Sequence, residues 1–288
     1  MKKVLVIGGA GFVGSNLCER LVSLKEYEVY SLDNYFTGSE QNHVPGVTYI
    51  RGNSAQISEL ITFNPDIIFH LGEYSRVEQS FDDLEKVFEF NTIGTFAVLN
   101  FVRKTGAKLL YAGSSTKFGD QGAGANASPY AWSKSSNTQL VKNFAQWYGI
   151  NYAITYFYNV YGKREIRHGK YATLIALFAE KMKNHEPLTV VSPGSQQRNF
   201  THIDDTVDAL ILIAEKGQGD EYGIGNPQAY TVLEIAQMFG GEIQMLPARQ
   251  GNRMIAEVKS EKTRSLGWEP KRNIKDYIEY LKKHNWLT

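Results

Sequence analysis

Tyr130 and Lys134 are the residues whose types and spacing point most directly to chemistry. They lie four positions apart, in the stretch Tyr-Ala-Trp-Ser-Lys. On a helix this spacing brings both side chains onto one face, about one turn apart. A neighbouring ammonium favours the ionised form of a phenol, which can then act as a general base near neutral pH. A solvated helical pair has the same pattern, so the interpretation depends on the rest of the chain.

A glycine-rich turn follows the first apolar run. Residues 4–7 predict a buried strand, and Gly8, Gly11 and Gly14 then lead into a segment with helical periodicity. Such a turn lets the backbone approach a pyrophosphate, and the helix N-terminus attracts its charge. Asp33 ends the second predicted strand, 19 residues after Gly14. Its carboxylate can accept hydrogen bonds from ribose hydroxyls and would repel a 2′-phosphate, so we predict NAD rather than NADP.

The elements that must position these residues alternate between strand and helix. This alternation predicts an α/β fold with a doubly wound parallel sheet. We expect residues 1–162 to form a dinucleotide-binding Rossmann domain and residues 163–288 to form mainly a smaller substrate-binding lobe, with about 198–216 returning to the first domain. The predicted strands are 4–7, 28–32, 47–51, 67–71, 108–112 and 152–157, and the predicted helices are 16–25, 57–61, 84–103 and 128–148.

The second half of the chain is less regular. Residues 172–183, 204–216 and 273–283 predict helices, and residues 188–191 predict a strand. Residues 217–226 are turn-rich. Thr231 and Glu234 have the spacing of a capping box, which predicts a helix over 231–239.

Composition excludes several classes of protein. The chain has 31 basic and 30 acidic residues, so it offers no net charge to a nucleic acid. It contains no apolar stretch of the length that a membrane span requires. Cys18 is the single cysteine, which excludes an intrachain disulfide and fits a reducing compartment. We therefore predict a cytoplasmic protein with neither a nucleic-acid nor a membrane partner.

Several motifs occur together in one order, and together they are specific. The chain resembles the extended short-chain dehydrogenase/reductase family, in its NAD-dependent sugar-nucleotide epimerase/dehydratase branch, over essentially its whole length. The resemblance rests on residues 8–14, 32–34 with 37–38, 70–71, 91 with 94–95, 112–115 with 118–119, Tyr130 with Lys134, 159–162, 198–205 and 266–268.

The resemblance implies roles for individual residues. Ser114 lies five residues before Gly119, as does the family's hydroxyl residue, and would form a triad with Tyr130 and Lys134. Tyr130 would remove a sugar hydroxyl proton, and Lys134 would also hold the nicotinamide ribose. The implied cofactor contacts are Gly8, Gly11, Phe12, Val13, Gly14, Asp33, Asn34, Asn53, Leu71, Gly72, Asn91, Tyr130 and Lys134. The implied contacts to a nucleoside-diphosphate sugar are Ser114, Ser115, Thr116, Asn159, Arg198 and Arg249.

Two positions narrow the reaction. Dehydratases of this family have an Asp-Glu pair directly after the Ser/Thr, whereas this chain has Ser115 and Thr116. Related decarboxylases have a glutamate where Thr116 stands. A 4-epimerase needs no such carboxylate, so we predict C4 inversion through a transient 4-keto sugar. A dehydratase, decarboxylase or reductase with displaced acid–base residues, and a catalytically silent NAD-binding sensor or scaffold, remain as alternatives.

Other residues allow more than one interpretation. Glu73 and Arg76 either form a surface ion pair or reach the cofactor or sugar. Asp204-Asp205 is interpreted as a helix start rather than a metal site, and no metal is predicted. His70 and His202 are predicted to be structural. By the same resemblance, helices 84–103 and 128–148 would form a homodimer interface.

Overall fold

Seven parallel strands form the central sheet of the protein. The structure, a computed structural model, describes residues 1–115, 124–248 and 258–286. The sheet strands, with the labels used below, are β1 (Lys2–Ile7), β2 (Tyr27–Asp33), β3 (Val47–Arg51), β4 (Ile67–His70), β5 (Lys108–Ser114), β6 (Tyr152–Phe157) and β11 (Gly219–Ile224).

The spatial order of the strands is β11-β6-β5-β4-β1-β2-β3. The chain starts in the middle at β1, runs outward through β2 and β3, and then returns to β4 on the other side of β1. This is the predicted doubly wound parallel sheet, and the prediction is confirmed. The strand order reverses between β1 and β4, and in such sheets a crevice for ligands opens at the carboxyl ends of the strands at that point.

Helices cover both faces of the sheet. Their bounds are α1 (Phe12–Ser23), α2 (Ile57–Leu60), α3 (Leu84–Val87), α4 (Gly94–Thr105), α5 (Pro129–Tyr148), α6 (Leu174–Lys183), α7 (Ile203–Lys216), α8 (Val232–Phe239), α9 (Glu261–Arg264) and α10 (Ile274–Lys283). One face packs against α1 and α7, and the other against α2, α4 and α5. None of the helices in the described residues has both the length and the apolar character that a membrane crossing demands.

The smaller strands lie outside the central sheet. They pair as β10 (Thr201–His202) with β7 (Val160–Tyr161), β12 (Ala229–Thr231) with β9 (Gln197–Asn199), and β13 (Ile243–Leu246) with β8 (Leu188–Val191). An apolar cluster separate from the two faces of the sheet lies in this region. It includes the buried side chains of Phe178 on α6, Phe239 on α8 and Leu281 on α10. The capping box is present: Thr231 Oγ1 accepts from the Glu234 N–H at 3.0 Å.

Two segments differ from their sequence predictions. The turn-rich segment 217–226 contains β11, an edge strand without an apolar run. A Cβ on Gly223 would lie 1.8 Å from the Lys259 carbonyl oxygen, so the glycine that suggests a turn instead permits close backbone approach. The predicted helix 84–103 is interrupted by a π-helical segment, Phe88–Ile93, between α3 and α4.

Candidate active site

A large cleft opens where the strand order reverses. Its volume is 1210 Å³, which exceeds the roughly 300–1,000 Å³ of a typical small-molecule site and leaves room for a dinucleotide and a second ligand. The ends of β1, β2, β4, β5 and β6 contribute to its wall. Topology therefore brings together residues that are far apart in the chain.

The glycine-rich turn forms one end of the cleft. Gly8 has φ of 87°, and a Cβ on it would lie 2.7 Å from the Gly72 Cα atom. A Cβ on Gly14 would lie 2.0 Å from the Gly8 carbonyl oxygen. Glycine is therefore required for backbone packing at both positions. Gly11 is the N-cap of α1 and has no side chain to occupy the N–H groups of the first turn, which suits them to a pyrophosphate.

Asp33 lies beside this turn at the end of β2. Its carboxylate accepts hydrogen bonds from the backbone N–H groups of Ala10, at 2.9 Å, and Tyr35, at 2.7 Å. Burial raises the pKa of Asp33, although both N–H groups oppose that shift. The side chain is therefore fixed against the turn, and it lines the cleft.

Helix α5 brings Tyr130 and Lys134 to the cleft. Ser128 Oγ caps the helix by accepting from the Ala131 N–H at 3.1 Å, and Pro129 occupies the first turn. Tyr130 then donates its hydroxyl hydrogen to Ser114 Oγ at 3.3 Å. All three side chains of the predicted triad thus line the cleft, and all three are buried.

Lys134 is not free in the cleft. Its ammonium forms an ion pair with Glu73 and donates to the Ala112 carbonyl oxygen. The Glu73 and Lys134 side chains are 2% and 6% exposed. A surface ion pair between Glu73 and Arg76 was one interpretation of the sequence, and it is wrong. Sequence alone could not show that Glu73 is buried. Glu73 lies in a loop, where no regular alternation of polar and apolar residues distinguishes surface from core.

Arg76 has a different environment. Its Nε donates to the Tyr171 carbonyl oxygen at 3.0 Å, and Tyr171 donates its hydroxyl to Asp83 at 2.7 Å. The guanidinium lines the same cleft, and burial lowers the pKa of Arg76 while nearby tyrosines, including Tyr130, and Glu165 oppose that shift. Arg76 is thus a cation on the cleft wall.

Glu165 is a carboxyl group on the cleft wall that the sequence motifs did not indicate. It is 8% exposed and accepts hydrogen bonds from the Gly162 N–H at 2.9 Å and from Thr173 Oγ1 at 2.7 Å. Burial raises the pKa of Glu165 to about 7. The only sequence signal for it is its position shortly after residues 159–162, which says nothing about burial.

Most of the predicted cofactor residues border the cleft. The predicted residues that line it are Gly8, Gly11, Phe12, Val13, Gly14, Asp33, Asn34, Leu71, Gly72, Ser114, Ser115, Tyr130, Lys134, Asn159 and Arg198. Thr116 and Arg249 lie outside the described residues.

Asn53 and Asn91 are placed elsewhere. Asn53 caps a short helical turn by accepting from the Ala55 N–H at 3.1 Å, and it donates to Glu89 at 2.7 Å. Asn91 is buried and holds the Tyr74 backbone, accepting from its N–H at 2.6 Å. Both side-chain amides therefore form hydrogen bonds within the protein, and neither residue is among those that line the cleft.

Two predicted sugar-nucleotide contacts, Asn159 and Arg198, also line the cleft. Asn159 follows β6 with φ of 35°, a left-handed conformation that is uncommon for a residue with a side chain. Its Nδ2 donates to the Asn199 carbonyl oxygen at 3.1 Å. Arg198 lies on β9, and its Nη1 donates to the Gln197 carbonyl oxygen at 2.7 Å.

The remaining polar candidates have structural surroundings. His202 caps α7 by accepting a hydrogen bond from the Asp204 N–H at 3.2 Å. Asp205 is buried, and its Oδ1 accepts a hydrogen bond from Arg272 Nη1 at 2.7 Å. Within 1–115, 124–248 and 258–286, no group of three His, Cys, Asp or Glu side chains could hold a metal ion. Burial raises the pKa of Cys18 to about 12, which leaves it an inert thiol.

A doubly wound sheet with a glycine turn, a carboxylate at the end of the second strand and Ser, Tyr and Lys side chains in one cleft defines a class of dinucleotide-dependent enzymes, the extended short-chain dehydrogenases/reductases. Residues 4–225 match the NAD dependent epimerase/dehydratase family, and the chain belongs to that family. Its cofactor is NAD, as predicted.

Relatives with two different activities resemble the chain equally. UDP-glucuronic acid decarboxylase 3 of Arabidopsis thaliana is 29% identical over 309 residues, covering 98% of this chain and 88% of that protein. A putative UDP-glucose 4-epimerase of Methanocaldococcus jannaschii is 29% identical over 307 residues, covering 98% and 99%. The structure of UDP-glucose 4-epimerase from Thermotoga maritima with UDP-glucose superposes with a TM-score of 0.90 at 26% identity, covering 98% and 99%. Overall similarity therefore leaves the reaction to be argued from the site.

Proposed function

We propose that the protein is an NAD-dependent epimerase of a nucleoside-diphosphate sugar that inverts C4 through a transient 4-keto sugar. The observation that carries the proposal is the Tyr130–Ser114 hydrogen bond in the cleft, with a hydroxyl residue, Ser115, at the next position. A carboxylate at that next position would suit elimination, whereas inversion needs one proton removed and one returned.

The residues of the cleft divide the work as follows. Bound NAD supplies a hydride acceptor for the oxidation and the same hydride for the return. Tyr130 removes the proton from the C4 hydroxyl and gives it back after the keto sugar has turned its other face. Ser114 orients that hydroxyl, and Lys134 supports the phenolate. Arg198 holds the diphosphate while the sugar turns.

The test is a panel of UDP-, dTDP-, GDP- and CDP-sugars followed by NMR. C4 inversion without added cofactor is expected, because the hydride returns to the carbon that lost it. Tyr130→Phe should lower turnover by several orders of magnitude and leave NAD bound. Tyr280→Phe, on the exposed face of α10, is the matched control. Normal turnover by Tyr130→Phe would remove this tyrosine from its role.

A decarboxylase or dehydratase is the second candidate, and Glu165 is the observation that favours it. A carboxyl group with a pKa near 7 on the cleft wall can both donate and accept a proton at neutral pH. Release of CO₂ or a 4-keto-6-deoxy product in the same panel would support this candidate. Loss of that product in Glu165→Gln, with NAD still bound, would assign the group.

A homodimer is the assembly we propose. Phe88, Ile93 and Phe96 are exposed beside Trp132 and Trp147 of α5, and Phe88 and Trp132 lie 5.5 Å apart between ring centroids. Apolar patches of this kind commonly mark protein interfaces. Light scattering should give a dimer for the native chain and a monomer for Phe96→Lys. Tyr280→Lys, which alters an exposed ring elsewhere, should remain dimeric, and a monomeric native chain would contradict the proposal.

A further inference from the structure

Glu73 is a buried carboxylate at the base of the cleft that none of the proposed steps uses. It follows Gly72, just beyond the end of β4, and its partner Lys134 lies 61 residues further along, on α5. Both side chains also border the cleft. A buried glutamate is rarely retained unless its charge is compensated, so the pairing needs a physical explanation.

The carboxylate of Glu73 is held on both oxygens. Oε2 pairs with the Lys134 ammonium. Oε1 accepts hydrogen bonds from Thr95 Oγ1 at 2.7 Å, Asn137 Nδ2 at 2.9 Å and the Tyr111 hydroxyl at 3.2 Å. These donors come from α4, α5 and β5, so three elements fix the position of the carboxylate. Although burial raises it, the pKa of Glu73 lies below its ordinary value because Lys134 and the other donors favour the charged form.

Glu73 also restricts Lys134. An ammonium has three N–H donors, and Glu73 and the Ala112 carbonyl oxygen take two of them. One donor remains, and Lys134 also borders the cleft. The direction of the ammonium is thus set by protein contacts rather than by the ligand.

Tyr130 lies one helical turn from Lys134 on α5 and borders the same cleft, so the charges of the pair would act on it. An isolated buried cation strongly favours a phenolate beside it, whereas a neighbouring carboxylate opposes that effect. We propose that Glu73 is a positioning residue that fixes the Lys134 ammonium and, by opposing its charge, sets the pH at which Tyr130 becomes a base. The proposal rests on the proposed role of Tyr130, but its test needs no sugar substrate.

The titratable neighbours of the pair, His70 and Tyr111, keep constant charge above neutral pH. Glu165 on the cleft wall has a pKa of about 7, but it is the same in every variant compared. Burial lowers the pKa of His70, on β4, to about 4, so His70 is neutral. Burial, with the charge of Glu73, raises the pKa of Tyr111, on β5, well above its ordinary value, so Tyr111 stays protonated. Arg76, in the loop after β4, remains a cation. A change in the titration of Tyr130 on removal of Glu73 would therefore report the charge of Glu73.

The test is a spectroscopic titration of purified protein with Glu73→Gln. The glutamine keeps the shape and an acceptor for Lys134, but it removes the negative charge. The phenolate absorption of Tyr130 is isolated by subtracting the curve of the same protein with Tyr130→Phe, in the native and the Glu73→Gln backgrounds. We expect the midpoint in Glu73→Gln to fall by about one pH unit or more. An unchanged midpoint, or one that rises, overturns the proposal.

Two further variants separate charge from packing. Glu73→Asp keeps the charge and should restore most of the native midpoint, whereas a shift as large as that of Glu73→Gln would indicate packing and contradict the proposal.

If Glu73→Gln does not fold, Lys134→Met and the double variant Glu73→Gln/Lys134→Met are compared by thermal unfolding. The double variant should melt above Lys134→Met, because it leaves no buried unpaired carboxylate. A double variant no more stable than Lys134→Met would overturn the pairing. None of these results depends on which sugar reaction the protein performs.

Discussion

Replacing Glu165 by glutamine should make protein stability less dependent on pH. Burial raises the pKa of Glu165 from an ordinary value of 4.5 to about 7. The folded state therefore binds this proton more tightly than the unfolded state. The resulting stabilisation is complete below about pH 4.5, declines as the pH rises, and is lost above about pH 7. A difference of about 2.5 pKa units corresponds to about 3 kcal/mol.

Glutamine resembles the protonated carboxyl group and does not ionise. Its amide oxygen can accept from the Gly162 N–H, and Thr173 Oγ1 can accept from its amide group instead of donating. At pH 5 the variant should be more stable than the native protein by less than about 1 kcal/mol, because most of the proton-linked stabilisation is still present. At pH 8 the variant should be more stable by up to about 3 kcal/mol, because the native protein then holds a buried carboxylate.

Urea denaturation at pH 5, 6, 7 and 8, with the midpoint and slope measured separately, provides the assay. Glu186→Gln is the matched control, since Glu186 is exposed. A constant difference between Glu165→Gln and the native protein across this range would refute the reasoning. So would a native protein that is more stable than the variant at pH 8.

Three further substitutions test residues that line the cleft. Gly14→Ala should reduce NAD affinity at least about 100-fold in calorimetry or prevent folding, because its Cβ would lie 2.0 Å from the Gly8 carbonyl oxygen. Asp33→Ala should lower the affinity for NAD by roughly 10- to 100-fold, which is the contribution of a charged hydrogen bond. The same substitution should reduce the preference for NAD over NADP in the same assay. Arg198→Ala should raise KM for the nucleotide sugar by about tenfold or more with little change in kcat, because a diphosphate anchor acts on bound and reacting sugar alike.

Matched variants make these results interpretable. Arg264→Ala removes an exposed arginine paired with Glu269 and should leave KM unchanged. Native NAD affinity in Gly14→Ala would contradict the close approach at the turn. An unaltered NADP preference in Asp33→Ala would show that the carboxylate does not choose between the cofactors, and an unaltered KM in Arg198→Ala would remove that residue from the anchor.

Much of the fold was predictable because its signals are local. Six of the seven sheet strands coincide with apolar runs, and the strand–turn–helix around Gly8 and Gly14 follows from glycine chemistry. The seventh strand, β11, was missed because an edge strand paired only to β6 needs no apolar run. The helix bearing Tyr130 begins at the predicted serine because Ser128 and Pro129 are a strong start signal.

The sequence by itself determined which chemical groups are present and which neighbours on one helix or turn share a face. It placed Tyr130 one turn from Lys134, and no structure was needed for that. Tertiary structure decided the partners and the burial. Glu73 becomes the counter-ion of Lys134 only because β4, β5, α4 and α5 meet around it. Glu165 becomes a carboxyl group with a raised pKa because the fold buries it in the cleft wall. Desolvation and ion pairing depend on distances between atoms that are remote in the chain, and local sequence does not specify those distances.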